Sequence, residues 1–207
     1  MAKQSALANK MIPDSDPHPD GRRQRSQVSH AKIIAAFMKL LKEGDPNPSA
    51  ARVAKRAGVG LRSVFRHFDD MDSLYLEIDN LLYDRWGAGL TAPYSSSDWR
   101  DQLLELIARR AEVYENIAPY RLITNFARFR SEQLMKNYER LMTHESKALA
   151  AILPRTVQKD KSRSRAILLA TSFDSWRLFR HDQRLSNKQT IATMSQIVKD
   201  IIAHIDD

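Results

Sequence analysis

The chain has 207 residues, 43% of them apolar, enough to bury a sizeable core in one or two domains. It contains no cysteine, which excludes disulfides, thiolate metal sites and cysteine nucleophiles, and its 33 Lys or Arg against 25 Asp or Glu give a formal charge of +8. No apolar run approaches the ~18 residues of a membrane span, and the N-terminus lacks the apolar stretch of a signal peptide, so a cytoplasmic protein is expected.

Residues 1–24 read as a disordered basic arm. Pro13, Pro17 and Pro19 stand there among Asp, Ser, Asn and His, with few apolar side chains to order them. Arg22, Arg23 and Arg25 at its end can enter a minor groove or remain a solvated cluster. From Ser26 to Glu43, Val28, Ile34, Phe37, Met38 and Leu41 recur at helical spacing and predict the first helix.

Residues 49–68 predict two short helices joined by a tight turn. Ala54 is small where the helices cross, Gly58 four residues later accepts φ > 0, and Val59 and Val64 point into a small core. Ser49, after Pro48, can cap the first of them. In the second, from Leu61 to about His67, Val64 and Phe68 share one face, which leaves Arg62, Ser63, Arg66 and His67 to reach base edges or phosphates. Ordinary helical hairpins carry the same Ala-x-x-x-Gly pattern, and charge separates the two readings. Between Gly21 and Phe68 there are eleven Lys or Arg against two acids, so the rest of the chain is close to neutral. Phosphate neutralisation needs such a concentration.

Val53-Ala54, Ala57-Gly58-Val59-Gly60, Ser63-Val64-Phe65, His67-Phe68, an acidic helix start and Leu74 together resemble the DNA-binding module of TetR-type (TetR/AcrR) transcriptional repressors over residues 49–75. The resemblance implies DNA contacts from Arg22, Arg23, Ser49, Arg52, Gly60, Leu61, Arg62, Ser63, Phe65, Arg66 and His67. Three positions depart from the family pattern. Gly60 replaces a serine that would cap the recognition helix. Phe65 replaces a tyrosine whose hydroxyl touches phosphate, and Met71 replaces a lysine with the same role.

Beyond Asp70 the pattern stays helical. Leu74, Ile78, Leu81 and Leu82 predict a fourth helix over about 70–86, fading at Gly87 and Gly89. Asp98 opens a helix to about Glu115 with Leu103, Leu106, Ile107 and Val113 inward, and Pro119 starts another short one. A long helix spans about Arg128 to Leu153 and stops at Pro154. A charged linker, 159–163, leads to two last helices at about 162–181 and 187–205. No strand alternation and no solenoid repeat occurs, so the fold class is all-α with about nine helices: a three-helix DNA-binding domain over 25–70 and a helical domain over 71–207.

In the last helix Ile191, Met194, Val198, Ile201 and Ile205 form a continuous apolar stripe, and Ile167, Ala170, Phe173 and Trp176 offer a second. Two such helices bury little alone, and pairing with the same two of a second copy makes a four-helix bundle; closing the core of a monomer is the other reading. Residues 175–186 also resemble the dimerisation region of TetR-type repressors. The resemblance thus extends over 22–205 and implies a homodimer on a palindromic DNA operator, with half-sites about one helical turn, ~34 Å, apart. It further implies a repressor released by a small-molecule effector, with the fourth helix carrying the motion.

The family assigns that effector to the larger domain. Trp86, Tyr114, Asn125, Phe126, Phe129, Tyr138 and Trp176 are the residues expected to line its pocket, although any single aromatic among them more often belongs to an ordinary core and Asn125 fits a solvated helix face as well. Arg128 and Arg130 are expected beside Tyr114 and Asn125 as polar contacts, and arginines there point to an acidic ligand. A constitutive DNA-binding or architectural protein with no effector is the alternative. Neither cofactor, metal site nor enzyme is expected. The chain has no glycine-rich phosphate loop, no His-Glu-x-x-His and no Gly-x-Ser-x-Gly, and none of its six histidines lies four residues from another.

Overall fold

The computed structural model describes residues 19–45, 47–203 and 205, apart from the side chains of residues 19, 20, 86 and 88. Among them the fold is all-α, with α1 (Pro19–Lys42), α2 (Ala50–Ala57), α3 (Leu61–His67), α4 (Met71–Thr91), α5 (Trp99–Ala127), α6 (Glu132–Ile152), α7 (Arg155–Lys159), α8 (Lys161–Ala170), α9 (Phe173–Arg177), a π turn (Leu178–Asp182) and α10 (Asn187–Ile202). No helix among the described residues is long and apolar enough to cross a membrane.

Helix α1 begins at Pro19 and not near Ser26, because proline fits a first helical position and the Arg- and Gln-rich turn that follows is made of good helix formers. Arg22, Arg23 and Arg25 therefore lie on a helix instead of an extended arm, and residues 1–18 of that arm lie outside the described residues. The inward stripe of α1 is Ile33, Phe37, Leu40 and Leu41; Val28 falls off it and is 50% exposed. These side chains meet Val53 and Ala54 of α2, Val64 and Phe68 beyond it, and Leu74, Tyr75 and Ile78 of α4 in one core.

The α2–α3 turn is built as its sequence requires. Ser49 Oγ accepts from the Arg52 amide at 3.4 Å, and Gly58 ends α2 at φ 66° and ψ 34°, its N–H donating to the Ala54 and Lys55 carbonyls. A Cβ on Gly58 would meet nothing within 4 Å, so the need for glycine there is conformational and not steric. Gly58→Val is expected to cost ~1–3 kcal/mol, and Gly58→Asn clearly less since asparagine tolerates the left-handed region. Thermal melts of the two variants, with DNA affinity measured beside them, check the order.

Asp70 caps α4 reciprocally, its Oδ1 accepting from the Ser73 amide at 2.7 Å and its own amide donating to Ser73 Oγ at 3.2 Å. The helix runs through Gly87 and Gly89, where the sequence places its end. A helical glycine costs ~0.5–1 kcal/mol without forbidding the turn, and the stop comes at Ala92 before Pro93. Helix α5 likewise passes through Pro119, where the sequence places a new start. Proline there costs ~3 kcal/mol in a free helix, but Tyr120 and Arg121 just beyond it are buried and anchored. The Tyr120 hydroxyl donates to the Tyr75 carbonyl at 2.6 Å, and Arg121 pairs with Glu145 at 3.3 Å.

Ser131 Oγ accepts from the Leu134 amide at 3.2 Å and starts α6 there, later than Arg128. Residues 159–163 are no linker: Asp160 Oδ1 accepts from the Arg163 amide at 2.9 Å and caps α8 directly after α7. The single helix expected over 162–181 breaks at Thr171, because Ser172 caps a new helix, and it ends in the π turn closed by Gln183 N–H to Leu178 O at 2.9 Å. Helices α5 to α10 enclose a second core around Leu106, Tyr114, Phe173, Trp176, Met194 and Val198. The last two apolar stripes thus split. Ile167, Ala170, Phe173, Trp176, Met194 and Val198 turn inward onto α5, while Ile191, Ile201 and Ile205 are only partly covered.

Candidate nucleic-acid interface and effector cavity

Helix α3 buries Val64 and turns the rest of its surface outward. Leu61, Arg62, Phe65 and Arg66 are exposed and Ser63 is half-buried, so five of the expected DNA contacts share one open surface of a seven-residue helix. Gly60 caps that helix without a side-chain hydrogen bond. Exposed Ser49 is spent on capping α2, and Arg52 in α2 pairs with Asp45 at 2.9 Å while remaining largely open to solvent. Arg22 and Arg23 are exposed on the opening turns of α1.

His67 departs from the expectation. Its ring packs against His30 of α1 at 5.5 Å instead of joining Arg62 and Arg66, and its Nε2 is buried without a partner. Burial foremost, and Arg66 next, hold its pKa below the usual histidine value. His30 in turn stacks on Phe68 and pairs with Glu77 of α4 at 2.9 Å, so this cluster fastens the end of the recognition helix to α1 and α4.

Helix α4 joins two environments. Leu74, Tyr75 and Ile78 belong to the core of the DNA-facing helices, while Leu82, Tyr83, Gly87 and Leu90 line a cavity of about 310 Å³ between α4, α5 and α6. That volume is at the small end of the ~300–1,000 Å³ typical of ligand pockets, and its wall is mostly aliphatic and aromatic.

Of the expected lining residues whose side chains are described, Tyr114 alone is found there. Phe126 in the last turn of α5 and Phe129 just past it are 78% and 71% exposed, and Asn125 accepts from Arg128 at 3.3 Å nearby. Arg128 stacks on Tyr138 with its guanidinium carbon 3.6 Å from the ring centroid, and Arg130 is exposed, so none of these six lines the cavity. Trp176 is fully buried and borders a separate groove of about 350 Å³ between the end of α1 and α5. The Trp86 side chain lies outside the described residues.

The cavity instead receives Arg110, Arg121, Asn137 and Glu145, which the sequence reading missed. Arg110 is 2% exposed and donates to Thr171 O at 3.1 Å, Thr171 Oγ1 at 2.8 Å and Glu145 O at 3.0 Å. Burial pushes the Tyr114 and Tyr120 phenols well above their usual range and raises the Asp79 carboxyl against the pull of Arg140 and Arg121. Arg121 Nε and Asn137 Nδ2 are buried donors without partners, and such groups cost ~1–3 kcal/mol each when left unpaired. A signal for the arginines exists in the sequence. Leu103, Ile107, Arg110, Tyr114, Ala118 and Arg121 follow one another at helical spacing, so two charges sit on the buried stripe of α5.

The structure is thus a basic helix-turn-helix module mounted on a helical bundle with an internal cavity. Residues 33–78 match the family described as bacterial regulatory proteins of the tetR family, and the chain carries this TetR-type DNA-binding domain on a TetR-like fold. The chain is similar over its length to a transcriptional regulator from Rhodococcus, with a TM-score of 0.69 and 16% identity, covering 86% of this chain and 96% of the other. A protein from Mesorhizobium loti provisionally assigned to the TetR family aligns with a TM-score of 0.55 and 19% identity over 86% and 97% of the two chains. The multidrug binding protein EbrR, in complex with imidazole, aligns with a TM-score of 0.53 and 19% identity over 88% and 90%. No curated protein matches the sequence.

Proposed function

We propose that the protein is a ligand-released repressor that occupies a near-palindromic operator as a homodimer. The observation that carries this reading is α4, a single helix whose first half is core to the DNA-reading module and whose second half walls the cavity. A ligand that fits the cavity better in one setting of α4 shifts the module by its differential affinity for the two settings. The likeness to a multidrug binding protein supports a ligand in the bundle. Dimer formation is supported by apolar side chains that the last helices leave uncovered, Leu169 and Leu178 exposed at 64% and 42% and Ile197 and Ile201 of α10 only partly covered. Superposable fourth helices in free and liganded crystals would remove α4 from the mechanism.

Selection of bound sequences from a random DNA pool, repeated at two salt concentrations, tests the reading. A palindromic site is expected, and enrichment of no sequence with steeply salt-dependent binding contradicts it. Arg62→Ala or Ser63→Ala is expected to relax the selected sequence, with ~1–3 kcal/mol of base discrimination lost for a bidentate contact. Arg22→Ala is expected to weaken all sequences alike and to reduce the salt slope by about one unit, as the loss of one phosphate contact requires. Binding titrations of specific and scrambled duplexes over a salt series read both effects.

A further inference from the structure

The cavity between α4, α5 and α6 has a donor-rich lining. Of the buried polar atoms without partners among the described residues, the two whose residues line it are Arg121 Nε on α5 and Asn137 Nδ2 on α6. Both side chains are more than nine-tenths buried, at 5% and 7% exposure, and both atoms can only donate. The formal charges of the lining point the same way: Arg110, Arg121 and Arg140 stand against Asp79 and Glu145. Glu145 is already engaged by Arg121 Nη1 at 3.3 Å. Burial raises the Asp79 carboxyl against the pull of Arg140 and Arg121.

We propose that the occupant is an amphiphilic carboxylic acid, its apolar body against the aliphatic walls of α4 and α5 and its carboxylate taken by Arg121 Nε and Asn137 Nδ2. This rests on the reading of the cavity as the effector site. A carboxylate supplies acceptors to both orphaned donors and meets the positive excess, and hydrogen bonds between charged partners are the stronger kind. A cationic ligand would leave both donors unpaired and face the same excess unfavourably. The volume of about 310 Å³ suits a body of modest size, a medium-length chain or a single ring system.

Three probes that share one chain and differ in the head group test the assignment: decanoate, 1-decanol and decyltrimethylammonium. Each is titrated calorimetrically into the full chain below its micelle concentration, and each is added to the protein bound to its selected DNA site. Decanoate is expected to bind at least tenfold more tightly than 1-decanol, and the ammonium not at all. Asn137→Leu is expected to weaken decanoate about tenfold without lowering the melting temperature of the free protein, because it removes an unpaired donor. Equal binding of decanoate and 1-decanol, or tighter binding of the ammonium, overturns the acid. If the ammonium also releases DNA, the effector reading survives that loss. Selective decanoate binding that leaves DNA affinity unchanged does the reverse: the acid site stands and the effector reading falls. Binding by none of the three overturns both.

Discussion

Trp176→Ala is expected to lower the stability of the chain by ~3–5 kcal/mol, a large part of the ~5–15 kcal/mol that holds a typical domain together. The indole is fully buried where α9 meets α5. It stacks on Phe173 at 5.5 Å, tilts against Tyr114 at 5.7 Å and takes the His181 ring edge-on at 5.3 Å. Truncation to alanine forfeits this aromatic packing and leaves a cavity beside the groove that Trp176 already borders, with little freedom for α5 to collapse into it. Trp176→Phe is expected to cost far less, under ~1.5 kcal/mol. The indole Nε1 has no hydrogen-bond partner, so losing it relieves an unpaired donor and offsets part of the lost contact. Urea unfolding curves of the two variants give the comparison. Equal losses would mean that indole size, and not the ring cluster as such, decides the packing there.

What could be read from the sequence and what could not divide along a physical line. The α2–α3 turn was legible because each of its residues answers a local demand: Gly58 the left-handed backbone, Ser49 the free Arg52 amide in the first turn of α2, Val64 and Phe68 the inward face. Local demands also gave misleading punctuation. Gly87, Gly89 and Pro119 read as breaks, yet each lies inside a helix, since ~1 to ~3 kcal/mol of propensity yields to tertiary contacts such as those of Tyr120 and Arg121. The cavity was hidden for another reason. Aromatic residues on helices mark apolar faces without saying which face is enclosed, so exposed Phe126 and Phe129 and the fully buried Trp176 looked alike. Charge on a buried stripe is the more discriminating sign, and Arg110 and Arg121 carry it.

Arg110→Met is expected to destabilise the bundle by ~3–5 kcal/mol although it adds an apolar side chain of similar length to a buried site. The guanidinium of Arg110 joins three parts of the fold: α5 through its own backbone, α6 through Glu145 O, and the α8–α9 junction through Thr171 O and Oγ1. Thr171 is fully buried at the point where the expected single helix breaks, so without the arginine its carbonyl loses that donor in a place water does not reach. The Glu145 carboxylate keeps Arg121 at 3.3 Å and the Tyr114 hydroxyl at 3.5 Å, because Arg110 reaches only the Glu145 carbonyl. Thr171→Val added to Arg110→Met removes the hydroxyl that Arg110 engages and is expected to cost ~1 kcal/mol less than the two single changes summed, the remainder being the donors lost to the Thr171 and Glu145 carbonyls. Chemical denaturation of the wild type, both single variants and the double variant closes that cycle. An additive double variant would show that Arg110 does not work through the Thr171 hydroxyl and that its contribution lies in the Thr171 and Glu145 carbonyls.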